Sequence, residues 1–236
     1  MKLYCDLHIH SALSPCGDDD MTPQNIVNMA KLKGLDAIAV TDHNSCENTA
    51  ACVEAGKRIG LMVIPGMEIQ TREDIHALCL FSSVDKALSF QDYVYKNMPE
   101  IKNKEELFGR QLILNSKDEY MGTCERMLLT STLISFDDAC YAVCNMGGAF
   151  IPAHIDRDGF SVITSLGFMP PNSNIKTVEY HTMEGLYRLI KMKLINEDYR
   201  FIKSSDAHYL GDISEREMYI NVESFSLESI IKKLNS

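Results

Sequence analysis

The segment LYCDLHIHSALSPCGDDDMTPQNIVNMAKLKGLDAIAVTDHN, residues 3–44, decides the fold class of this chain. Its first residues, up to His8, predict a strand. A helix is predicted to follow, because Thr22 is a favourable N-cap residue and Gly34 is a typical helix stop. The short apolar run from Ala37 to Thr41 is typical of a strand covered on both faces. A strand, a helix and another strand with short connections predict parallel pairing in an α/β layer or barrel.

The alternation of strands and helices continues beyond this segment. We predict a helix over about Cys46 to Ile59, closed by Gly60. Six more strands and a final helix are predicted at Leu61–Ile69, Ile75–Phe81, Ala149–Pro152, Thr177–Tyr180, Arg200–Ser204, Met218–Val222 and Leu227–Leu234. No linker or repeat divides the chain, so residues 1–236 are predicted to form a single domain.

The pattern changes between about residues 85 and 147. Helical or irregular segments predominate there, at Asp85–Met98, Thr123–Thr130 and Ser135–Met146. We therefore predict a mainly helical insertion of roughly sixty residues, which is longer than ordinary connections. Insertions of this size often act as lids over a site. Simple packing beside the barrel is the equally open alternative.

The composition limits the classes of partner. The 236 residues include 33 acidic and 23 basic side chains, a formal net charge of −10. This charge argues against an extended nucleic-acid surface or an anionic membrane surface, but not against an anionic substrate at one local site. The apolar stretches are too short to span a bilayer, and the N-terminus lacks the apolar region of a secretory signal. We therefore expect a cytoplasmic protein whose eight cysteines are reduced.

Histidines and carboxylates cluster where the predicted strands end. His8 and His10 lie two residues apart at the end of the first strand, so their side chains project from one face and can share a metal ion. Six further residues fall on later strands or just after them: His43, Glu68, His76, His154, Asp206 and His208. In parallel sheets and barrels, this edge is where functional side chains gather.

Each of these residues also has a simpler explanation. A single strand-end histidine is more often a hydrogen-bonded polar residue than a ligand, and Glu68 alone would be a solvated carboxylate. Asp6 and Asp42 would cap turns. Because these explanations would have to hold independently at every strand, we favour a metal centre. Imidazole and carboxylate ligands suit zinc, manganese or iron. Cys16 is interpreted as a small loop residue rather than a ligand.

Five ordered motifs, DLHIHS, TDHN, PGMEI, PAHIDR and SSDAH, resemble those of the PHP (polymerase and histidinol phosphatase) family of metal-dependent phosphoesterases. The resemblance extends from the first strand to about residue 208 and therefore covers most of the chain. It implies a distorted (β/α)7 barrel, an α/β fold, with up to three metal ions at the carboxyl ends of the strands.

The resemblance also implies how the ligands are shared. One ion would be held by His8, His10, Glu68 and Asp206, and Glu68 would bridge to another held by His76 and His154. The remaining ion would be held by His43, His208 and a loop residue that is histidine or acidic in relatives. Asp18 is our choice for this loop ligand, with Asp19 and Asp20 left open, and the centre would hold two or three divalent ions.

The activity that the resemblance implies is hydrolysis of a phosphate ester by a water that the metals activate. Glu68, Asp206 and His208 would be essential to catalysis. Arg157 is a candidate for binding the phosphate, with a solvated surface role equally open. His181 is a candidate proton donor or substrate contact, although a structural role is somewhat favoured. Asp6 and Asp42 would orient imidazoles through their second nitrogen.

The substrate and the assembly state stay open at this point. We expect a small phosphorylated substrate and prefer a nucleotide or a short oligonucleotide, with histidinol phosphate and other monoesters as alternatives. A metal-dependent amidohydrolase or deaminase would also use paired histidines after the first strand of a barrel. A metal-binding regulatory module without catalysis is the third alternative. The sequence does not indicate an oligomeric state.

Overall fold

The computed structural model describes residues 1–172 and 174–236. The strands are β1 (Lys2–Ile9), β2 (Ala37–Val40), β3 (Met62–Gln70), β4 (His76–Leu80), β5 (Leu112–Leu114), β6 (Tyr120–Thr123), β7 (Ala149–Pro152), β8 (Thr177–Tyr180), β9 (Arg200–Lys203) and β10 (Tyr219–Asn221). The helices are α1 (Pro23–Leu32), α2 (Thr49–Ile59), α3 (Val84–Lys96), α4 (Glu105–Phe108), α5 (Phe136–Asn145), α6 (Val162–Leu166), α7 (Met183–Lys191) and α8 (Leu227–Leu234).

Seven strands, β1 to β4 and β7 to β9, curl into a distorted barrel, and β10 pairs antiparallel with β1 beside them. One sheet has the order β10-β1-β2-β3-β4-β7, and β8 and β9 form a separate parallel pair. This pair lies between β7 and β1, because Ile155, just beyond β7, donates its N–H to the β8 carbonyl of Glu179 at 2.9 Å. On the other side, the N–H of His10 donates to the carbonyl of Ala207 at 2.9 Å. The predicted α/β barrel is thus confirmed.

The prediction of parallel pairing is wrong at β4, which runs antiparallel to both β3 and β7. Only residues 71–75 separate β3 from β4. A parallel crossover needs a dozen or more residues, so this short connection can only form a hairpin. Thr71 closes it by donating its N–H to the Ile75 carbonyl at 2.9 Å. His76, the first residue of β4, therefore lies at the same edge as the carboxyl ends of the other strands.

The segment Thr123–Thr130, predicted to be helical or irregular, is irregular after its first residue. Residues 120–123 are the second strand of the hairpin β5–β6, and residues 124–130 lie outside any helix. The side chain of Gln111, which is fully buried, explains this conformation. Its amide nitrogen donates to the carbonyls of Cys124 and Arg126, each at 2.6 Å, and its oxygen accepts from the N–H of Leu128 at 3.0 Å. These backbone groups are satisfied without a helix.

The β5–β6 hairpin packs against the loop that follows β1. Leu112 donates its N–H to the carbonyl of Ala12 at 2.8 Å. The buried Asn48 side chain binds both Leu112 and Leu114, with distances of 3.0 and 2.9 Å. Helices α3 and α5, at either end of this segment, contribute Phe90 and Val143 to the main apolar core. Among the described residues, no helix is long and apolar enough to cross a membrane.

Candidate metal centre

Six of the seven histidines meet at the carboxyl edge of the barrel. His8 and His10 are both fully buried at the end of β1, and their ring centroids lie 5.1 Å apart. The rings of His10 and His208 stack at 4.2 Å, and those of His43 and His76 lie 5.3 Å apart. The fold thus brings together strand-end side chains that are nearly 200 residues apart along the chain.

Glu68 lies at the centre of these imidazoles. Its Oε1 lies 2.9 Å from His76 Nδ1, 3.2 Å from His154 Nε2 and 3.3 Å from His8 Nε2. Its Oε2 lies 3.0 Å from His43 Nδ1. The carboxylate is only 1% exposed, so it has no access to bulk solvent. A buried carboxylate that faces imidazoles with both oxygens is arranged as a bridging ligand.

Asp206 supplies the second carboxylate. Its Oδ1 lies 3.1 Å from His10 Nε2 and 3.3 Å from His8 Nε2. Both Asp206 and His154 have left-handed backbone conformations, with φ of +53° and +30°. Such conformations are costly for residues other than glycine and occur mainly at functional sites. The backbone is therefore held in a strained conformation at two of the predicted ligands.

The outer contacts of the imidazoles differ from those predicted. Asp42 acts on His10 through Ser14: the Ser14 hydroxyl donates to Asp42 at 2.7 Å and lies 2.9 Å from His10 Nδ1. Asp6 contacts no imidazole and instead accepts the N–H groups of Ser205 and Ser214, at 3.0 and 2.9 Å. It thereby holds the backbone next to Asp206 in place.

Glu179 on β8 is a residue that sequence reasoning missed. It is 2% exposed, and its Oε2 lies 3.0 Å from His8 Nδ1 and 3.1 Å from the N–H of His154. A carboxylate on the second nitrogen of a histidine fixes the tautomer and turns the first nitrogen toward a metal. The feature of the sequence that could have identified it is a lone glutamate within the short strand TVEY.

The loop after β1 presents Cys16 rather than Asp18 to the histidines. Cys16 Sγ lies 3.1 Å from Nε2 of His208. Asp18 instead donates its N–H to the carbonyl of His208, and its carboxylate accepts the N–H of Asp20 at 2.9 Å. Asp19 forms an ion pair with Arg110. The carboxylates of Asp18 and Asp19 are thus engaged elsewhere, and the interpretation of Cys16 as a small loop residue missed its place beside the centre.

Charges in the cluster shift the pKa values of its members in opposite directions. Burial raises the pKa of Asp206, but the charges of His8 and His10 outweigh it and hold that pKa below its usual range. Burial lowers the pKa of His43, but Glu68 more than compensates and raises it to about 10. The Asp206 carboxylate is therefore ionised and the His43 imidazole protonated near pH 7 in the metal-free chain.

Buried polar atoms without hydrogen-bond partners surround Glu68. Among the described residues they include His43 Nδ1, Glu68 Oε2, His76 Nε2 and His154 Nδ1. Leaving such atoms unpaired costs roughly 1–3 kcal/mol each, which a bound cation would offset for those that face it. Three groups of potential ligand atoms lie within 4.8 Å of one another: His10–His43–His208, His8–His10–Glu68 and His43–Glu68–His76. The donor set fits divalent cations that accept imidazole and carboxylate.

The PHP domain family model matches residues 6–207 of this sequence. The chain belongs to the PHP domain family. The match runs from the second half of β1 to beyond β9 and includes every histidine of the centre except His208. The resemblance found in the five motifs is thereby confirmed.

Known proteins similar to this PHP domain include enzymes of phosphate ester chemistry. An uncharacterized protein of Methanocaldococcus jannaschii is 35% identical over 100 residues, which cover 39% of this chain and 58% of that protein. A phosphoribosyl 1,2-cyclic phosphate 1,2-diphosphodiesterase of Eggerthella lenta is 33% identical over 64 residues, covering 27% of this chain and 23% of that enzyme. The match thus spans less than two thirds of these relatives.

A solved structure shares the fold of this PHP domain over its full length. It is a lesion-specific endonuclease from Pyrococcus furiosus, with a TM-score of 0.70 and 19% identity. The alignment covers 100% of this chain and 56% of the endonuclease. At this identity the likeness shows the barrel fold.

A cavity of about 410 Å³ opens onto the centre of the PHP domain. Arg157 lines it, with Nη1 2.5 Å from Asp206 Oδ2. Phe160 forms part of the rim: its ring is half-exposed and stacks on His76 at 4.6 Å. His181 is exposed and reaches the centre only through Arg157, at 3.3 Å. Cavities of this volume fit small ligands.

Proposed function

We propose that this chain is a metal-dependent phosphoesterase that hydrolyses a phosphate ester of a nucleotide or a short oligonucleotide. One observation carries the proposal: the buried Glu68 carboxylate, whose two oxygens face four imidazoles within 3.3 Å. Such an arrangement suits cations on either side of one carboxylate, a pattern used for in-line displacement at phosphorus. Family membership supports the same chemistry.

The residues sort into sets that would hold cations. Glu68 would be shared, with His8, His10 and Asp206 toward the β1 side and His76 and His154 toward the β4 side. His43 and His208 would hold a further ion. Zinc, manganese and iron all accept these donors. When bound, such ions supply a water of lowered pKa and neutralise charge on the phosphate oxygens.

Arg157 is proposed to bind the phosphate. Its side chain is 35% exposed, lines the cavity and already contacts the carboxylate of Asp206. A guanidinium can bind two phosphate oxygens at once, so it would orient the ester in line with the attacking water. His181 stands beside it. Burial and the charge of Arg157 lower the pKa of His181, so the neutral form predominates at pH 7, which favours a substrate contact over a proton donor.

Three observations support a nucleotide or a short oligonucleotide. The half-exposed Phe160 ring offers a stacking face at the rim of the cavity. The cavity volume of about 410 Å³ suits one nucleotide rather than a long duplex. The fold is shared with a lesion-specific endonuclease. Because the net charge is −10, attraction for phosphate would be confined to the metal centre and Arg157.

The test is a hydrolysis screen of the metal-loaded chain, with metal content measured on the same sample. Substrates would include nucleoside 3′,5′-bisphosphates, short RNA, histidinol phosphate and p-nitrophenyl phosphate, with amides and aminopurines as counter-substrates. We expect turnover of phosphate esters with manganese or zinc and none after chelation. Turnover of amides or amines alone would contradict the proposal.

Glu68→Gln is the decisive variant. It keeps the shape of the side chain but removes the charge that cations would share, so phosphoesterase activity should fall by a factor of at least ~10³. The matched control is Glu197→Gln, at an exposed position outside the centre, which should leave the rate unchanged. Wild-type rates in Glu68→Gln would refute the role of the carboxylate.

A further inference from the structure

We propose that Cys16 is a thiolate ligand of the cation held by His43 and His208. The inference rests on the proposed metal-dependent function and adds one residue and one metal preference to it. Its starting observation is the short contact of 3.1 Å between Cys16 Sγ and His208 Nε2.

The distance suits two ligands of one metal ion. Zinc binds sulfur at about 2.3 Å and imidazole nitrogen at about 2.0–2.1 Å in a tetrahedron, so its sulfur and nitrogen ligands lie about 3.6 Å apart. The contact between Cys16 and His208 is half an ångström shorter. A small rotation of the Cys16 side chain would therefore lengthen the distance between Sγ and His208 enough for an ion to bind both, without any shift of the backbone.

The loop backbone is built to hold the thiol at this place. The N–H of Gly17 donates to the Ser14 carbonyl at 2.8 Å, and the N–H of Asp18 donates to the His208 carbonyl at 2.9 Å. A side chain at position 17 would place its Cβ 2.7 Å from the carbonyl oxygen of Ser11, so this tight turn requires glycine. The two hydrogen bonds flank Cys16 and join its loop to the strand end that carries His208.

Independent observations point to a ligand at the same place. His10, His43 and His208 bring one ring nitrogen each within 4.8 Å of one another. His43 is 5% exposed, and its Nδ1 lies 3.0 Å from Glu68 without hydrogen-bonding geometry. Three converging imidazoles, one with an unpartnered buried nitrogen, form a candidate cation site. The carboxylates next to it, Glu68 and Asp206, also face His8 and the neighbouring positions. Cys16 is the loop residue that the structure places at the candidate site.

A thiolate at this position would change the metal preference. Thiolate ligands favour zinc and other soft ions, whereas carboxylates and water suit manganese and magnesium. Because the Asp18 carboxylate accepts the N–H of Asp20 and Asp19 pairs with Arg110, these two loop carboxylates do not compete with Cys16 for this position. We therefore expect this ion position to select zinc over manganese, even if the positions around Glu68 accept either.

Cobalt(II) tests the assignment by spectroscopy, without relying on activity. Metal-free full-length chain would be titrated with cobalt, because a cobalt–thiolate bond absorbs in the near ultraviolet and zinc, a d¹⁰ ion, does not. We expect the charge-transfer band in the wild-type chain, its loss in Cys16→Ser and its retention in Cys144→Ser. Cys144 lies half-buried on α5, outside the centre, and is the matched control.

A second variant guards against loss of folding. Cys16→Asp should restore full cobalt binding without the band and shift the zinc-to-manganese affinity ratio toward manganese by at least ~10-fold. The proposal is overturned if bound cobalt shows no band, if the band persists in Cys16→Ser, or if no cobalt binds. A band in a chain that hydrolyses no phosphate ester would support the ligand assignment and refute the proposed function alone.

Discussion

Oε2 of Glu179 lies 3.0 Å from Nδ1 of His8, deep in the barrel, and the same oxygen accepts the backbone N–H of His154. One carboxylate on β8 thus positions two residues whose imidazoles both face Oε1 of Glu68. If Glu179 holds the Nδ1 proton of His8 when a cation is bound, Nε2, which faces Glu68 and Asp206, is the nitrogen left to bind it. This contact makes Glu179 part of the site although it does not line the cavity at the centre.

Replacing Glu179 should weaken metal binding without touching a ligand. In Glu179→Ala, His8 loses its anchor, so the affinity for the ion at His8 and His10 should fall about 10- to 100-fold. Glu179→Gln should give a smaller loss, because its amide oxygen can still accept one of the two N–H groups. The measurement is competition with a chelating dye. Unchanged affinity in Glu179→Ala would contradict the positioning role, and Glu197→Gln is the control.

Alkylation of Cys16 should follow an unusual pH dependence in the metal-free chain. Burial raises the pKa of this thiol, but hydrogen bonds from His208 and His43 outweigh it and lower the pKa to about 7. Because the thiolate is the reactive form, labelling by iodoacetamide should rise with pH through a midpoint near 7. Peptide mass spectrometry from pH 5.5 to 10 measures it.

The His208→Asn variant is the control for this titration. Without the imidazole beside it, the midpoint of Cys16 labelling should move upward, toward the ordinary thiol value of about 8.5. A wild-type midpoint already near that value would contradict the influence of His208. Added zinc should protect Cys16 in the wild-type chain, since a bound thiolate cannot be alkylated.

Removal of the Phe160 ring should affect substrates that carry a base. Stacking of a base on an aromatic ring contributes roughly 1–3 kcal/mol, so Phe160→Ala should raise KM for a nucleotide about 5- to 150-fold. Glycerol phosphate has no base, and its kinetics should stay unchanged. Steady-state kinetics on both substrates measure this difference in KM. The control is Phe168→Ala, because Phe168 is exposed and lies outside the cavity. Equal losses on both substrates would point to a structural role.

Gly109 should be essential for docking the insertion on the Cys16 loop. Its φ is +94°, and an added Cβ would lie within about 2 Å of the Pro15 carbonyl oxygen. Gly109→Ala should therefore lower the free energy of unfolding in urea by about 1–3 kcal/mol. Gly211→Ala is the control, because no atom lies within 4 Å of its added Cβ. Equal stability of the two variants would refute the close approach.

Most of the centre could be predicted from local patterns. A strand places alternate residues on one face, so His8 and His10 had to project together. Strand ends that follow short apolar runs identified His43, Glu68 and Asp206 in the same way. These predictions need only the period of a strand and the rule that parallel strands end at one edge.

Contacts between distant segments could not be predicted in this way. Glu179 and His8 are 171 residues apart, and nothing local to TVEY shows which imidazole its carboxylate meets. The same holds for Cys16: its spacing from His10 allowed Asp18 equally well until the backbone of the loop was in place. The sequence left the segment after β6 open as helical or irregular, because the Gln111 side chain that satisfies its backbone groups belongs to a separate segment.

The sequence by itself determined the class of fold, the family and the residue types of the centre, because strand periodicity and ordered motifs are local properties of the chain. The tertiary structure alone decided the direction of β4, the partner of each imidazole and the position of Cys16 beside His208. These depend on loop closure, burial and hydrogen bonds between segments far apart along the chain. Local sequence specifies which side chains lie at a strand end, and packing decides which residues those side chains contact.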